Sequence, residues 1–123
     1  MNATAQSSLE QTAPLDVQSM RETARRLLGE DVESLPVEEV DSLTQALRGM
    51  IMIAIPEVAA AADRYLKGEI PRVCALVGIE EAKRRLRARP VPAMSPWALR
   101  QAQRLARSVM ALTDHYVNLG GTL

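Results

Sequence analysis

One stretch in the middle of the chain limits the fold more than any other. Residues 48–62 read RGMIMIAIPEVAAAA, and positions 50 to 55 are all apolar before Pro56. A helix built from this stretch carries apolar side chains around its full circumference, which indicates burial on more than one side. Glu57 interrupts the run, which falls short of the roughly 20 residues needed to cross a bilayer. We therefore expect a central, packed helix and no membrane span.

Capping signals and apolar spacing place two helices in the first half of the chain. The first is expected to begin after Asp16, a favourable N-cap, and to end at Leu28 before a glycine. The second has Pro36 in its first turn and keeps one apolar face continuous to about Lys67. Pro56 removes a hydrogen bond from the interior of this second helix, so we expect the helix to bend there.

Two further helices are expected in the second half. The third opens at Pro71 and runs to about Arg87, and the fourth starts at Ser95-Pro96 and ends at Gly120. The first half of the third helix is apolar on two sides, so both sides are expected to need neighbours. These sides hold Ile70, Val73, Cys74 and Val77 on one side, and Ala75, Ile79, Ala82 and Leu86 on the other.

The pattern predicts an all-α protein, a four-helix bundle-like single domain over residues 16–121 with a long, proline-kinked central helix. The sequence has no sustained alternation of apolar and polar residues and no Asn-Gly or Asp-Gly turn, so no strand is expected. The chain has no phenylalanine and only three aromatic residues, so the core must be built from aliphatic side chains. Residues 1–15, which lack basic and clustered apolar residues, are expected to form a disordered N-terminal arm and not a targeting signal.

The reactive residues give little indication of chemistry. Cys74 is the only cysteine, so a disulfide within the chain and a cysteine-based zinc cage are excluded, and a reducing cytoplasm is the expected location. Its apolar sequence neighbours indicate an inert packing thiol. The sequence has no nucleophile elbow, no phosphate-binding glycine loop and no metal-ligand spacing, so no metal and no cofactor are expected. No motif in the sequence therefore supports a catalytic function.

The apolar run around Pro56 has two interpretations. In the first, this surface is an interface, covered by the third helix, by a second copy of the chain or by another protein. The interface candidates are Met50, Met52, Ile53 and Ile55. In the second, the bend opens a pocket for a small apolar ligand. The candidates for polar ligand contacts are Glu57, Tyr65, His115 and Tyr116. The competing interpretation of the last two is an ordinary C-terminal histidine and a core tyrosine.

Charge is balanced overall but divided along the chain. Residues 1–69 hold six Lys or Arg against twelve Asp or Glu, whereas residues 70–123 hold nine against three. The basic residues gather at the end of the third helix, with Arg89 just beyond it, and along one flank of the fourth. The predicted basic patch consists of Arg84, Arg85, Arg87, Arg100, Arg104 and Arg107. Nucleic-acid binding through this patch is a further alternative, although the chain as a whole is neutral.

Several segments together resemble a family of short actinobacterial proteins of unknown function that are labelled natural product biosynthesis proteins. The matching segments include Leu47-Arg48-Gly49, Ile55-Pro56-Glu57-Val58, Pro71-Arg72-Val73-Cys74-Ala75-Leu76, Ala82-Lys83-Arg84-Arg85-Leu86, Ala106-Arg107-Ser108-Val109 and Asp114-His115-Tyr116. Met50 and Thr113 stand where that family usually has a polar residue and a cysteine. The resemblance implies a link to secondary metabolism and assigns no catalytic residue.

The leading hypothesis from the sequence is a non-catalytic helical interaction or regulatory protein of actinobacterial secondary metabolism, acting as a homodimer or with a protein partner. The alternatives are a small-molecule-binding protein or minor enzyme with a pocket at the Pro56 kink, and a nucleic-acid-binding protein.

Overall fold

The computed structural model describes residues 15–121, so the N-terminal arm expected at residues 1–15 falls almost entirely outside the described part. The first helix, α1, spans Val17–Leu28. Asp16 caps it as expected, because its Oδ1 accepts a hydrogen bond of 3.2 Å from the backbone N–H of Ser19. Leu15, immediately before the cap, is buried and belongs to the core.

The second helix, α2, spans Val37–Ala62 and continues through Pro56. A short 3-10 turn, Val32–Ser34, joins it to α1. The expected extension to Lys67 is wrong. The N–H groups of Arg64 and Tyr65 bond to carbonyls three residues back, which tightens the chain into a turn. The Tyr65 carbonyl then accepts a 2.8 Å hydrogen bond from Arg72, which fixes the chain reversal.

The third helix, α3, spans Ile70–Arg87 with Pro71 in its first turn, as expected. The fourth, α4, spans Ala98–Asn118 and begins slightly later than Ser95-Pro96 indicated. The Ser95 hydroxyl accepts from the N–H of Trp97, and the Ser95 carbonyl accepts from Ala98, so Ser95 closes a turn before the helix. Gly120, with φ of 100°, ends α4 in the left-handed conformation that glycine favours.

The first helix runs antiparallel to the fourth, and the second runs antiparallel to the third. Gln103, near the start of α4, donates a hydrogen bond to the carbonyl of Leu27 at the end of α1. Arg21, in the first half of α1, donates to Asp114 near the end of α4. Arg48 of α2 bonds to the carbonyl of Leu86 at the end of α3. Of the four described helices, α2 and α4 each contact all three others, whereas α1 and α3 lie on opposite sides of the α2–α4 pair without touching each other.

The core is formed by side chains of all four helices and is almost entirely aliphatic. Its most fully buried side chains include Leu27, Leu47, Ile51, Leu105, Leu112, Val17, Val58 and Val109. All-helical architecture around an aliphatic core confirms the expected fold class, and residues 15–121 contain no strand. Burying these apolar side chains, at roughly 25 cal/mol per Å² removed from water, is what holds the helices together.

Candidate functional site

The four interface candidates divide into two pairs. Met50 and Ile55 are partly buried and pack against the core. Met52 and Ile53, in contrast, are 64% and 63% exposed. The expectation that α3 covers these two side chains within the chain is wrong, because α3 packs beside α2 and leaves its far side open.

The open side of α2 is a continuous apolar surface, which we call the α2 face. Gly49, Met52, Ile53, Pro56 and Ala60 form it, and all five are exposed. Gly49, Met52, Pro56 and Ala60 recur at intervals of three and four residues, with Ile53 beside Met52, so all five lie along one side of the helix. The one charged side chain between Gly49 and Ala60 is the half-buried Glu57, which lies at the edge of this surface, one turn after Ile53.

The outer side of α4 has the opposite character. Its exposed side chains are mainly charged or polar and include Arg100, Arg104, Arg107, Asp114 and Asn118. Both helices lie at the surface of the same bundle, yet only α4 has the polar outer side expected of a helix facing water. The α2 face therefore needs an explanation beyond the packing of the isolated chain.

The third helix, α3, also exposes apolar side chains. Ala75, Ile79 and Ala82 are buried against the bundle, as one of the two expected sides should be. The other side is not covered: Val73 is 46% exposed and Val77 66% exposed. Exposure on this side extends to Ile70, Cys74 and Leu76. The expectation that Cys74 packs in apolar surroundings is likewise wrong, since its thiol is exposed.

The candidate ligand contacts around the kink have separate neighbours. Tyr116 is buried, and its hydroxyl accepts a long hydrogen bond of 3.4 Å from the N–H of Leu15. The ring of His115 lies against Gly78 of α3. Glu57 and Tyr65 are half-buried, and neither side chain makes a hydrogen bond or ion pair with the other described residues. Tyr116 therefore acts as a core residue, and His115 as a packing residue between α3 and α4.

A cleft lies elsewhere, between the end of α3, the following loop and the start of α4. Its volume is about 570 Å³. Four of the six predicted basic-patch residues line it, namely Arg84, Arg85, Arg100 and Arg104, whereas Arg87 and Arg107 do not. Arg89 and Trp97 also line it, together with Glu81, Ala88, Val91, Gln101 and Leu105. We call this the basic cleft; none of the four kink candidates belongs to it.

Two side chains hold the walls of the basic cleft in place. Arg85 donates to the carbonyl of Arg104 and to Glu81, each at 2.9 Å, which ties α3 to α4. Gln101 spans the loop: its amide donates to the Arg89 carbonyl at 2.9 Å and its oxygen accepts from the N–H of Val91 at 3.0 Å. These hydrogen bonds therefore fix the positions of the cleft walls relative to each other.

Trp97 is the residue that sequence reasoning missed. It is the only tryptophan of the chain and is 58% exposed. The guanidinium carbon of Arg100 lies 5.3 Å from its ring centroid, within the range of a cation–π contact. The sequence could have indicated Trp97 as a site residue by its position directly after Ser95-Pro96, at the start of a basic helix.

Metal and membrane binding find limited support. Within residues 15–121 no three His, Cys, Asp or Glu side chains cluster as a metal site. One helix in that part of the chain, α2, is long and apolar enough to cross a bilayer by composition, with a mean hydropathy of 1.3 in its best window. Core helices of soluble proteins satisfy the same criterion, so this is weak evidence for a membrane span.

Comparison with known proteins assigns the chain to a sequence family. The model of a protein family described as "Family of unknown function (DUF6415)" matches residues 18–121, which include α2, α3, α4 and all but the first residue of α1. No curated protein matches the chain significantly. No solved structure matches it significantly either.

Proposed function

We propose that this chain, which belongs to the DUF6415 family of unknown function, is a non-catalytic helical interaction protein that acts as a homodimer. The observation that carries the proposal is the exposure of Met52 and Ile53 at the centre of the α2 face. Association that buries such a surface is favoured by the hydrophobic effect.

A second copy fits the α2 face because its side chains are self-complementary. In an antiparallel pairing of α2 with its copy, the two-fold axis passes between Met52 and Ile53, and each contacts the other across the axis. Gly49 and Pro56 are equally far along the chain from this midpoint, so the small glycine faces the proline of the copy. Both pairings remain entirely apolar.

The flanking charges also match under this symmetry. Asp41, in the first half of α2, and Arg64, two residues after its end, are equidistant from the midpoint, and both are exposed. The acidic first half of one α2 therefore lies near Arg64 of the other copy. Neither side chain makes an ion pair within residues 15–121. Such complementarity favours one orientation of the two copies over others.

The area requirement brings α3 into the interface. A stable interface buries roughly 800 Å² on each partner. The α2 face is a single helix side, and the neighbouring α3 also exposes Val73, Leu76 and Val77. We therefore place α2 at the centre of the interface and α3 at its margin.

Light scattering coupled to size-exclusion chromatography at micromolar concentration tests the proposal. The expected mass is about 27 kDa, twice the 13.5 kDa of one chain. Met52→Lys is expected to yield monomers, because each dimer would bury two unpaired charges. Met94→Lys is the matched control, since Met94 is 82% exposed and lies in the loop before α4. A monomeric wild type overturns the homodimer.

Charge reversal tests the orientation of the two copies. Asp41→Lys places a cation beside Arg64 of the copy and is expected to weaken dimerisation. Adding Arg64→Glu restores opposite charges and is expected to restore the dimer. Failure of this rescue contradicts the antiparallel pairing. Co-sedimentation with anionic vesicles gives a further check: vesicle binding by a monomeric wild type that Met52→Lys abolishes assigns the α2 face to a lipid surface instead.

We further propose that the dimer has a regulatory role in actinobacterial secondary metabolism. This proposal rests on the sequence resemblance of segments such as Ile55-Pro56-Glu57-Val58 and Asp114-His115-Tyr116. Purification of the tagged protein from its native cell, with Met52→Lys as a parallel bait, tests it. Recovery of biosynthetic enzymes of one pathway supports the role, and recovery of none contradicts it.

A further inference from the structure

We propose that the basic cleft binds a small phosphorylated molecule that carries a planar ring, a ligand of the nucleotide class. This inference concerns the junction of α3 and α4 and is independent of dimerisation through the α2 face. It rests on three features of the cleft: its concentrated positive charge, its exposed tryptophan and its size.

The lining of the basic cleft is strongly cationic although the chain is neutral. Five arginines line it against a single glutamate. The acidic half of the chain does little to neutralise this charge. Among the ion pairs of residues 15–121, only Arg72–Asp63 joins a base of the second half to an acid of the first. A concave, positively charged surface of this kind concentrates anions.

The five arginines have different roles. Glu81 pairs with Arg84 at 3.2 Å and with Arg85 at 2.9 Å, so these two are already engaged. Arg89, Arg100 and Arg104 form no ion pair within the described residues. Their guanidinium groups are therefore available to an incoming anion. Arginine is suited to phosphate because its planar group donates two parallel hydrogen bonds to phosphate oxygens.

The start of α4 adds to the preference for an anion. Trp97 precedes the first residue of α4, and Arg100 and Gln101 lie in its first turn. The N-terminal end of a helix carries a partial positive charge and unpaired N–H groups. The phosphate is expected beside Arg100 and Arg104, at this end of the cleft.

Trp97 supplies the second element of recognition. Its exposed ring is in the cleft lining, and Arg100 lies near the ring. An exposed tryptophan offers a flat apolar surface on which a nucleobase or similar ring stacks. Val91 and Leu105 provide apolar contacts beside it. A ring at Trp97 and a phosphate at Arg100 and Arg104 thus use neighbouring parts of one cleft.

The dimensions favour a small ligand over a duplex. The volume of about 570 Å³ lies within the range of roughly 300–1,000 Å³ that is typical of small-molecule sites. Reading the base sequence of a duplex requires a projecting element that enters a groove, whereas this surface is concave. A single-stranded nucleic acid presents the same phosphate and ring chemistry, so the experiment must distinguish it from a free nucleotide.

Trp97 allows binding to be observed directly, because it is the only tryptophan. We would titrate AMP, GMP, CMP and UMP separately while exciting tryptophan selectively, and confirm the result by calorimetry. At least one is expected to quench the fluorescence saturably below about 1 mM. The matching nucleoside and inorganic phosphate are each expected to bind at least about tenfold more weakly. Absence of saturable binding by all four monophosphates overturns the proposal.

Variants locate the site on the cleft. Arg104→Gln and Arg100→Gln are each expected to weaken binding of the responsive nucleotide by about tenfold or more, measured by calorimetry. Arg107→Gln is the matched control, an exposed arginine of α4 outside the cleft. Circular dichroism melting checks that all variants are folded. Equal affinity in all three variants overturns the assignment to the cleft.

Two further measurements separate the competing outcomes. A single-stranded oligonucleotide that binds far more tightly than any monophosphate and covers many nucleotides per chain overturns the small-ligand assignment in favour of nucleic acid. Met52→Lys is expected to retain nucleotide binding, because Met52 lies outside the cleft. Nucleotide binding by this variant therefore tests the basic cleft separately from the homodimer: either proposal can fail while the other stands.

Discussion

The ring of His115 on α4 occupies the space in front of Gly78 on α3. A Cβ atom at position 78 would lie 2.7 Å from both Cδ2 and Nε2 of the imidazole. This separation is shorter than a van der Waals contact, so the absence of a side chain at Gly78 permits the close approach of the two helices. The single histidine of the chain is thereby explained as a packing residue.

The first prediction tests this contact. Gly78→Ala is expected to lower the free energy of unfolding by about 1 kcal/mol, because overpacking costs about 1–3 kcal/mol and the gain in helix propensity offsets part of it. In a His115→Ala background the ring is gone, and the same substitution is expected to be neutral or stabilising. Urea denaturation of the four proteins measures the coupling. An equal effect in both backgrounds contradicts the contact.

The second prediction concerns two buried hydroxyl groups on α4. Ser108 is 5% exposed and its Oγ has no hydrogen-bond partner among residues 15–121, so Ser108→Ala is expected to leave stability unchanged or raise it slightly. Thr113 is fully buried; its hydroxyl donates to the carbonyls of Val109 and Met110 and accepts a hydrogen bond from Nε of Arg21. Thr113→Val preserves the shape and removes these bonds, so a loss of about 1 kcal/mol is expected. Thermal melts of the two variants, measured in parallel, test this prediction. If only Ser108→Ala lowers the melting temperature, the prediction is wrong.

The third prediction concerns the join between α1 and α4. The Nε of Arg21 donates to Thr113 Oγ1 at 3.2 Å, and its Nη2 lies 2.7 Å from Asp114 Oδ1. Arg21→Gln is expected to cost about 1 kcal/mol of stability, because Asp114 is exposed and the ion pair is screened.

Arg25→Gln is the control for this third prediction, as Arg25 is exposed on the same helix and makes no ion pair within residues 15–121. Stability is measured by urea unfolding at low and high salt. Part of the difference between the two variants is expected to shrink as salt rises. Equal stability of both variants at low salt contradicts the prediction.

The fourth prediction concerns Cys74. Its thiol is exposed on α3, so a disulfide reagent is expected to label the native protein at a rate close to that of the unfolded chain. The reaction is followed by the release of the coloured thiolate in buffer and in denaturant. Slow labelling of native protein that accelerates on dilution to monomers indicates that the dimer also covers this part of α3.

Local sequence was sufficient for most of the fold. The α1 bounds followed from Asp16 and from the glycine after Leu28, and the start of α3 from Pro71. These signals act within a few residues, because caps and proline satisfy or remove particular N–H groups near helix ends. The α2 end was misjudged because apolar spacing continued to Tyr65, whereas the turn is fixed by a hydrogen bond from Arg72 of the next helix.

The sequence by itself determined that the middle of α2, at positions 50–55, is apolar around its circumference and that arginines gather at the end of α3. Only the tertiary structure decided that Met52 and Ile53 lie uncovered and that Trp97 joins the arginines in one cleft. Helical periodicity specifies which side chains share a side of one helix. How many sides receive a neighbour, and which residues meet across a loop, depend on the packing of all helices together.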